Sequence, residues 1–548
     1  MIKKLLSTML LLSISGQLQC KRTKHTDDLI QQRVPTHETT PDLKKQSAPI
    51  AESVLDTKIK WPDICSKYKN SVVQIYSYVN VFNLSDPSKT GSEQYIVAGT
   101  GFFISDDGYL LTNFHVISEA PVVEVRFPAL GDQSFEVKIV GCFPEKDFAL
   151  LKIKDSSLQS LKDLLKVNNI TPLELGDSDK LKESQKVMCM GYPLGQRNLK
   201  ISLGNISGRE SMGEIGECAQ TTTPINHGNS GGPFLDENGK VVGIATLKVE
   251  NSDGIGYFIP INTVKTSLDT LFTKKIIKKV LLGVDLQPTT AETLKFLGNP
   301  TDGGVYVVEV ELKSLAEKAK IQKGDVIYEI DGFKIDRYGY INPSWRDAKI
   351  AVSDYISQLK IESTVSLTIY RDGEKLSLQI QLKNEDEFAV KEFHPWLQEA
   401  PDFERIGGIV VAQLTLNHLQ HFINEGHCKQ KMLKYTKIKH QQEPRVIVSC
   451  IYPGSVALDY QPQFFNPIIN MVNDIEVKTV QDFRDAVLAG NKKNPDYLTI
   501  ETEDGFFAAI PLKDLLDEEQ SISQTNYLQE SNLVKQLCEK YSTSSIES

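Results

Sequence analysis

Short apolar runs separated by polar turns dominate residues 61–275. The stretches 101–111 and 234–244 each contain two apolar runs around an Asp-Gly or Asn-Gly turn. This pattern predicts two β-hairpins, because those dipeptides favour the tight turns that join antiparallel strands. Residues 187–190 predict a further buried strand. Many short strands at close spacing predict a sandwich or a pair of barrels for this part of the chain.

The pattern changes after residue 279, where apolar strands alternate with short helical stretches. Helices are predicted at 314–320 and 353–359, between strands that end near residue 382. Part of this unit recurs, because residues 446–456 repeat the pattern of 305–315. An internal repeat predicts two copies of one module. The second copy is degenerate, since Asn-Pro replaces the Gly-Asp turn of the first.

The N-terminus has the pattern of an export signal. Lys3 and Lys4 precede an apolar run that ends near Ile14, which is typical of a secretory signal peptide. The run is too short to span a bilayer, which takes about 20 residues. Cys20 leaves a lipoprotein signal open, although the preceding Gln19 is larger than such signals favour. Residues 21–60 lack apolar periodicity and predict a disordered linker.

The composition is that of an acidic globular protein. Its 548 residues are 40% hydrophobic, and the length predicts about three domains. Acidic residues (71) outnumber basic residues (61), and the net charge of −10 argues against a protein that coats nucleic acid. Eight cysteines are scattered without a C-x-x-C pair, so no dense disulfide framework is expected. One disulfide among Cys142, Cys189 and Cys218 stays open.

Metal-ligating residue types gather near residue 420. They are His418, His421, His427 and Cys428. Because no recognised ligand spacing is present, a polar helix and loop is the preferred interpretation and no metal is predicted.

The most informative segment surrounds Ser230. Glycines on both sides of a serine let the backbone turn tightly and aim amides at a carbonyl oxygen. The amides of Gly228 and Ser230 are the expected donors of an oxyanion site, with Asn229 between them. The same letters also suit an ordinary glycine-rich hairpin loop, so the segment needs partners elsewhere in the chain.

Two upstream residues supply those partners. His115 follows the first predicted hairpin, and Asp147 directly precedes an apolar strand. Taken singly, they could be a core histidine and a turn residue. The order His, Asp, Ser is the one found in double β-barrel serine proteases, where histidine is the base and aspartate orients it. The nucleophile elbow of α/β-hydrolases needs the order Ser, Asp, His and a helix after the serine, so this alternative is rejected.

These segments resemble the HtrA/Deg family of trypsin-like serine proteases. The resemblance rests on residues 99–104, 111–115, 147–151, 191–195 and 228–233, and it extends over about residues 65–520. It implies a mainly β fold, in which a chymotrypsin-like double β-barrel is followed by two PDZ-like α+β domains. The second of these, starting near residues 407–411, is most similar to the atypical second PDZ domain of plant-type Deg proteases.

The residue patterns and the resemblance together give the expected domain limits. They are a signal peptide at 1–20, a linker at 21–60, the protease domain at 61–276, PDZ domains at 278–385 and 395–520, and a C-terminal tail at 521–548.

Function is carried over from the family residue by residue. His115, Asp147 and Ser230 match the catalytic triad, and Gly228 matches the main oxyanion position. Leu281, Leu282, Gly283 and Val284 match the PDZ loop that holds a peptide C-terminus. The resemblance further implies no metal or organic cofactor, cleavage of unfolded or damaged proteins without ATP, and assembly as trimers or multiples of trimers.

Some positions depart from the family pattern. Thr222-Thr223-Pro224 replaces Asp-Ala-Ala, and His227 stands where proline is common, so the residue preferred before the cleaved bond stays open. The loop from Asn83 to Gln94 carries no clear assembly signal. An exported protease of the periplasm or cell envelope, membrane-bound only if Cys20 is lipidated, is the expectation. The alternative is a chaperone or PDZ scaffold whose protease fold is inert.

Overall fold

The computed structural model describes residues 60–544 apart from 91–92, 132, 249–253, 384–387, 398–401, 427, 461–466 and 527. The predicted signal peptide, Cys20 and His427 lie outside the described residues, as does nearly all of the predicted linker. In this part of the chain, no helix combines the length and apolar character that crossing a membrane requires.

Two closed β-barrels make up the first part of the described chain. The first contains β1 (Val72–Asn80), β2 (Gln94–Phe103), β3 (Tyr109–Thr112), β4 (Val122–Arg126), β5 (Ser134–Phe143) and β6 (Phe148–Ile153), ordered β1-β2-β3-β6-β5-β4. The second contains β7 (Lys186–Gly191), β8 (Lys200–Ser211), β9 (Glu217–Thr221), β10 (Pro233–Leu235), β11 (Val241–Lys248) and β12 (Gly256–Pro260), ordered β10-β11-β12-β9-β8-β7. The helices here are α1 (Trp61–Tyr68), α2 (Asp155–Leu165) and α3 (Ile261–Thr273).

Both hairpins predicted from the sequence are present. Phe102 pairs with Leu111 across the first, and Phe234 pairs with Gly243 across the second. The predicted buried strand at 187–190 lies within β7. Apolar side chains from both barrels form one continuous core, in which the rings of Phe102 and Phe148 belong to the same cluster as Met190 of the second barrel.

A first α+β module follows the barrels. Its main sheet has the order β13-β14-β15-β19-β20, with β16 paired to β15, and β17 pairs with β18 separately. The strands are β13 (Val284–Gln287), β14 (Val305–Val310), β15 (Val326–Ile330), β16 (Phe333–Lys334), β17 (Tyr340–Ile341), β18 (Ile350–Ala351), β19 (Thr364–Arg371) and β20 (Glu374–Gln381). The helices are α4 (Ala291–Phe296), α5 (Leu315–Lys318) and α6 (Val352–Gln358).

A second α+β module has one more strand at its edge. Its order is β21-β22-β23-β24-β26-β27, with β25 paired to β24. The strands are β21 (Phe403–Ile406), β22 (Ile409–Gln413), β23 (Val446–Ile451), β24 (Ile468–Val472), β25 (Ile475–Glu476), β26 (Tyr497–Thr502) and β27 (Phe507–Pro511). The helices are α7 (Leu416–Asn424), α8 (Val480–Ala489), α9 (Leu512–Asn526) and α10 (Asn532–Ser544).

The last two helices belong to the second module. Leu515 of α9 and Leu533, Val534 and Leu537 of α10 are buried in its core. The segment that the sequence places in a C-terminal tail at 521–548 therefore contributes apolar side chains to this core, and residue 520 falls inside α9.

Both modules contact the barrels. In the first, the Arg346 guanidinium donates to both carboxylate oxygens of Glu217 in the second barrel, at 2.9 and 2.5 Å. In the second, Ser449 Oγ donates to the carbonyl oxygen of Ser85 at 2.7 Å, and the Tyr452 hydroxyl donates to the Asp86 carboxylate. The loop after β1, which carried no assembly signal in the sequence, is therefore held by the second module.

Candidate functional site

His115 and Asp147 are brought together by one strand pairing. Thr112 at the end of β3 pairs with Ala149 near the start of β6, so the residues just outside these strand ends become neighbours. His115 Nδ1 lies 2.9 Å from both carboxylate oxygens of Asp147. The backbone amide of His115 donates to Asp147 Oδ1 at 2.9 Å as well. The carboxylate is therefore placed to fix the orientation of the imidazole ring.

Asp147 itself is held by three further features. Its φ is +56°, a left-handed conformation that aspartate tolerates better than most residues. Asn113 Nδ2 donates to its carbonyl oxygen at 2.9 Å. Thr246 Oγ1 of β11 donates to its Oδ2 at 2.7 Å, so the second barrel contacts the carboxylate directly.

The electrostatics of His115 are dominated by two opposing effects. Burial lowers the pKa of His115, but the charge of Asp147 and the hydrogen bond to it outweigh this effect and leave the pKa raised above its usual value. The ring itself is still partly accessible, with 45% of the side chain exposed. An accessible imidazole with a strengthened basicity is suited to accept a proton from a neighbouring hydroxyl.

Ser230 lies in the turn that leads into β10. Its Oγ donates to the carbonyl oxygen of Thr246 at 3.3 Å. Within the described residues, Ser230 Oγ makes no hydrogen bond to His115. Thr246 thus contacts both Asp147 and Ser230, because it is the extra residue of a bulge between Ala245 and Leu247 in the β11–β12 pairing.

The peptide that joins His227 to Gly228 has a defined orientation. The carbonyl oxygen of His227 accepts from the Leu194 amide at 2.5 Å. The N–H and C=O of a planar trans peptide point in opposite directions, so the Gly228 amide points away from Leu194. Gly228 has φ of +95°, and a Cβ there would lie 2.3 Å from the carbonyl oxygen of Tyr192. Only glycine suits this turn.

The three predicted oxyanion residues differ in what their amides do. The Asn229 amide donates to the carbonyl oxygen of Asn226 at 2.9 Å, so it is already engaged within the loop. The amides of Gly228 and Ser230 have no hydrogen-bond partner in the described parts of the chain. The arrangement supports Gly228 and Ser230 as donors and leaves Asn229 as the residue that shapes the turn.

Thr100 of β2 ties the serine loop to the first barrel. Its amide donates to the carbonyl oxygen of Ser230 at 2.8 Å, and its Oγ1 donates to that of Gly228 at 2.6 Å. The same Oγ1 accepts from the Tyr192 amide at 3.1 Å. The backbone and side chain of one residue, Thr100, therefore hold the loop that carries the predicted nucleophile and the predicted oxyanion glycine against the first barrel.

Comparison with known proteins places this geometry in a family. The chain matches the trypsin-like peptidase domain over residues 99–244 and PDZ domains over residues 280–382 and 394–532. A probable periplasmic serine endoprotease, DegP-like, of Marinomonas sp. (strain MWYL1) is 30% identical over 393 residues, which are 70% of this chain and 72% of that protein. The chain belongs to the HtrA/DegP family of serine endoproteases.

Two further relatives show how the match is distributed. The serine protease Do-like HtrA of Bacillus subtilis (strain 168) is 31% identical over 329 residues, 56% of this chain and 68% of that protein. A DegP-like relative from Chlamydia trachomatis serovar D is 32% identical over 299 residues, and there the chain spans about half of the relative's length, 55%. The predicted fold class and family are confirmed, and the two modules are named PDZ1 and PDZ2 below.

The loop of PDZ1 predicted to bind peptide lies at the start of β13. Leu282 is buried, Leu281 is 55% exposed, and Gly283 has φ of +74°. The carbonyl oxygens of Leu282 and Gly283 accept from the Ala316 and Glu311 amides, both at 2.9 Å. The amides of Leu281, Leu282 and Gly283 make no hydrogen bond to any described residue. Three successive unpaired amides suit an anionic carboxylate.

A buried lysine lies between Asp147 and PDZ1 in this HtrA/DegP-type protein. Lys146 is almost fully buried, and its Nζ donates to Ser357 Oγ of α6 at 2.7 Å. Burial and the nearby charge of Lys279 lower the pKa of Lys146 to about 8, while Asp354 opposes the shift. The residue directly before the predicted catalytic aspartate is therefore packed against a helix of PDZ1.

The remaining candidates from the sequence do not gather into a site. His418 is buried, its Nε2 lies 3.0 Å from the carbonyl oxygen of Leu84, and burial lowers its pKa to about 4. No three metal-ligating side chains come together among the described residues. Cys142, Cys189 and Cys218 are buried and free.

Sequence reasoning missed Thr246 and gave Thr100 no role. Thr246 sits inside an apolar strand with no local signal, and only the bulge turns it toward Asp147. Thr100 belongs to a segment that carried the family resemblance, so a signal for it was present in the sequence.

Proposed function

We propose that this chain is an exported serine endopeptidase that degrades unfolded or damaged polypeptides without ATP. The observation that carries the proposal is the hydrogen-bonded pair of His115 and Asp147 beside the loop of Ser230. Of the His115 side chain, 45% is exposed and its pKa is raised, which suits a general base facing a substrate.

The proposed reaction is acyl transfer. His115 Nε2 removes the proton from Ser230 Oγ, and the oxygen attacks the carbonyl carbon of the scissile peptide. Asp147 stabilises the imidazolium that results, and the amides of Gly228 and Ser230 donate to the oxyanion. The imidazolium then protonates the leaving amine, and water repeats the sequence to release the acyl group.

The hydrogen bond from Ser230 Oγ to the carbonyl oxygen of Thr246 represents a resting rotamer in this scheme. A rotation about χ1 of Ser230 redirects the hydroxyl toward His115 when a substrate is bound. Catalytic hydrogen bonds are often long or misdirected without substrate and tighten in the complex, so this geometry is compatible with an active enzyme.

Labelling with a serine-directed fluorophosphonate tests the proposal. The unmodified protein should be labelled and should degrade casein, and Ser230→Ala should do neither. The alternative function, an inert protease fold that serves as a chaperone or scaffold, predicts no labelling even with a denatured substrate present. That result would overturn the enzymatic assignment of Ser230.

PDZ1 is proposed to bind the C-termini of extended peptides. A peptide would add as a strand to the edge of β13 that has no partner among the described residues, with its carboxylate on the amides of Leu281, Leu282 and Gly283. Fluorescence anisotropy should show binding of a peptide with a free C-terminus and much weaker binding of its amidated form. Gly283→Ala should abolish binding, since a Cβ there would lie 2.3 Å from Ser314 Cβ. Equal binding of the two peptides would refute the role of the loop.

Location and assembly are inferred from the relatives and from the sequence. Relatives named as periplasmic support export to the periplasm or cell envelope. A lipid anchor at Cys20 and assembly as trimers rest on the sequence pattern and the family resemblance. N-terminal sequencing of the mature protein tests export, because an intact Met1 would contradict it. The intact mass tests the lipid anchor, because an unmodified Cys20 would contradict it. Native mass spectrometry tests assembly as trimers.

A further inference from the structure

A basic segment distinguishes PDZ2 from PDZ1. Residues 297–304 join α4 to β14 in PDZ1, whereas the longer segment 425–445 joins α7 to β23 in PDZ2. Residues 429–445 contain five lysines and one arginine, with Glu443 as the only acidic residue of that sequence. This concentration of positive charge stands out in a chain whose net charge is −10. A local cationic surface of this kind attracts anions.

The basic segment is firmly packed. It folds into two 3₁₀ turns, Gln430–Thr436 and Ile438–His440. Met432 and Tyr435 of the first turn are buried in an apolar cluster of PDZ2. The Tyr435 hydroxyl also donates to Glu503 Oε2 at 2.8 Å. The lysines between these buried side chains therefore project from a rigid support.

A cavity of about 340 Å³ lies between this segment and PDZ1. PDZ1 contributes Leu312 and Lys313, and PDZ2 contributes side chains between residues 434 and 445. Lys313 Nζ donates to Gln442 Oε1 at 3.2 Å, so the two modules meet in the wall of the cavity. A cavity of this size is large enough for a small ligand.

The charges in the wall of the cavity are not balanced. Lys434 and Arg445 are each paired with a glutamate. Lys313 and Lys439 also line the cavity, and neither has a carboxylate partner in the described parts of the chain. Burial lowers the pKa of His440 in the same wall, and the positive charges of Lys439 and Lys434 lower it further. Two positive charges are therefore left for a bound anion to neutralise.

Gln442 adds a hydrogen-bond donor without an acceptor. Its Oε1 accepts from Lys313 Nζ, and because a lysine can only donate, this contact fixes which end of the amide is which. The Nε2 of Gln442 is buried and has no hydrogen-bond partner among the described residues. A buried donor without a partner destabilises a protein. Its position in the wall of a cationic cavity indicates that a ligand supplies the acceptor.

The arrangement of these donors suits a phosphate monoester better than a carboxylate. A phosphate monoester carries about two negative charges at neutral pH and three strong acceptor oxygens. It can therefore neutralise Lys313 and Lys439 together and still accept from Gln442. A carboxylate has one charge and two oxygens, so it would leave one of the two lysines without a counterion.

We propose that the cavity between PDZ1 and PDZ2 binds a phosphate monoester, held by Lys313 of PDZ1 and by Lys439 and Gln442 of PDZ2. Either a soluble phosphate ester or the headgroup of phosphatidic acid presents this chemistry. Because both modules contribute ligands, the bound anion ties PDZ1 to PDZ2. The inference does not depend on the activity of Ser230 or on peptide binding by PDZ1.

Calorimetric titration of the full-length Ser230→Ala protein with glycerol 3-phosphate tests the site. Lys313→Ala and Lys439→Ala should each weaken binding at least about tenfold, the loss expected for one charge-assisted hydrogen bond. Lys431→Ala with Lys437→Ala is the matched control, because these exposed lysines belong to the same segment and do not line the cavity. The control should bind nearly as well as the parent. If it loses as much affinity as the cavity variants, the segment attracts anions without a defined site and the inference is overturned.

Gln442→Glu gives a second, nearly isosteric test. The substitution replaces the unpaired donor by an acceptor and gives Lys313 a carboxylate partner, so it should abolish binding of glycerol 3-phosphate. Thermal unfolding should show no loss of stability, which separates a lost site from a misfolded protein. Unchanged binding in Gln442→Glu would overturn the inference.

Two probes distinguish the source of the phosphate. One is glycerol 3-phosphate, and the other is vesicles of equal parts phosphatidic acid and phosphatidylcholine, with vesicles of phosphatidylcholine alone as the blank. Binding of the soluble ester alone would indicate a soluble ligand, and co-sedimentation with the acidic vesicles would indicate a lipid headgroup. In either case Lys313→Ala with Lys439→Ala should remove the binding. Binding of neither probe, or binding of an oligoglutamate peptide in place of both, would overturn the inference.

Hydrogen–deuterium exchange tests whether the ligand contacts both modules. Saturating glycerol 3-phosphate, or the acidic vesicles if only they bind, should slow exchange in residues 311–314 of PDZ1 and in residues 438–442 of PDZ2, because binding stabilises both segments against local opening. Protection confined to PDZ2 would show that Lys313 is not a ligand, and the proposed site between the modules would be refuted.

Discussion

The attachment of PDZ1 to the protease domain gives a sharp energetic prediction. Glu217 and Arg346 are 6% and 2% exposed, and the guanidinium donates to both carboxylate oxygens. Arg209 is a second partner of the same carboxylate, at 3.2 Å. Replacing Glu217 by glutamine would leave two buried guanidinium groups without their anion. Breaking a buried pair in this way costs about 3–5 kcal/mol.

The same interface contains an exposed pair that serves as a control. Lys360 Nζ lies 3.1 Å from Asp269 Oδ2, and the two side chains are 60% and 82% exposed. Water screens such a pair, so its loss should cost no more than about 1 kcal/mol. Arg346→Met should cost less than Glu217→Gln, because Arg209 still neutralises Glu217.

The assay combines thermal unfolding with hydrogen–deuterium exchange of residues 352–358, the helix that faces the protease domain. We expect Glu217→Gln to lower the melting temperature most, followed by Arg346→Met, with Lys360→Ala close to the unmodified protein. Exchange in α6 should accelerate in the same order. If Lys360→Ala is as destabilising as Glu217→Gln, burial does not determine the strength of this interface and the reasoning fails.

Three further predictions concern the environment of Asp147. Thr246→Val should lower kcat/KM by about 10- to 100-fold, because it removes a hydrogen bond to a carboxylate that is worth about 1.5–3 kcal/mol. Thr246→Ser keeps the hydroxyl, so its kcat/KM should stay within a few-fold of the unmodified enzyme. Equal kcat/KM values for the two variants would refute the role of the hydroxyl. Asp147→Asn should lower kcat by about 10⁴-fold. It should also move the acid limb of the pH–kcat/KM profile to lower pH, because His115 acts as a base only when neutral and Asp147 raises the pKa of His115. An acid limb that stays at the same pH, measured with a fluorogenic peptide, would contradict this. The pKa of Lys146 in the folded protein, about 8, is below its ordinary value of 10.5. Between these two pH values the unfolded chain binds more protons than the folded one, so the free energy of unfolding should rise with pH by up to about 3 kcal/mol. Chemical denaturation should show this rise between about pH 8 and 10.5 in the unmodified protein and not in Lys146→Met.

The approach of His115 to Asp147 was predictable because it follows from local patterns. The hairpin before His115 and the apolar strand after Asp147 could both be predicted from the sequence. The order His, Asp, Ser, which is that of double β-barrel serine proteases, then indicated that His115 and Asp147 are partners. The structure then requires only that β3 and β6 be neighbours in one barrel. The tight turn around Ser230 could also be predicted from the sequence, because a cluster of glycines has few uses besides a tight turn.

Other contacts had no local signal. Lys146 meets Ser357 across 211 positions of sequence, and neither residue type indicates a partner. Arg484 of α8 likewise donates to Glu404 of β21, although the two residues lie 80 positions apart. Such long-range choices are decided by packing, which a single sequence does not display.

The different use of the two PDZ modules has a common physical origin. A free strand edge can pair with any extended chain that reaches it. Each PDZ module therefore needs this edge to be covered or to be used for binding a specific peptide. PDZ2 holds the loop after β1 through Ser449 and Tyr452 while β21 covers its edge. PDZ1 is attached through Arg346, and among the described residues the outer edge of its β13 has no strand partner. Both copies are therefore attached to the protease domain, and they differ in whether the strand edge that would bind a peptide is paired, because in PDZ2 helix α9 holds β21 over that edge through Arg405 and Glu519.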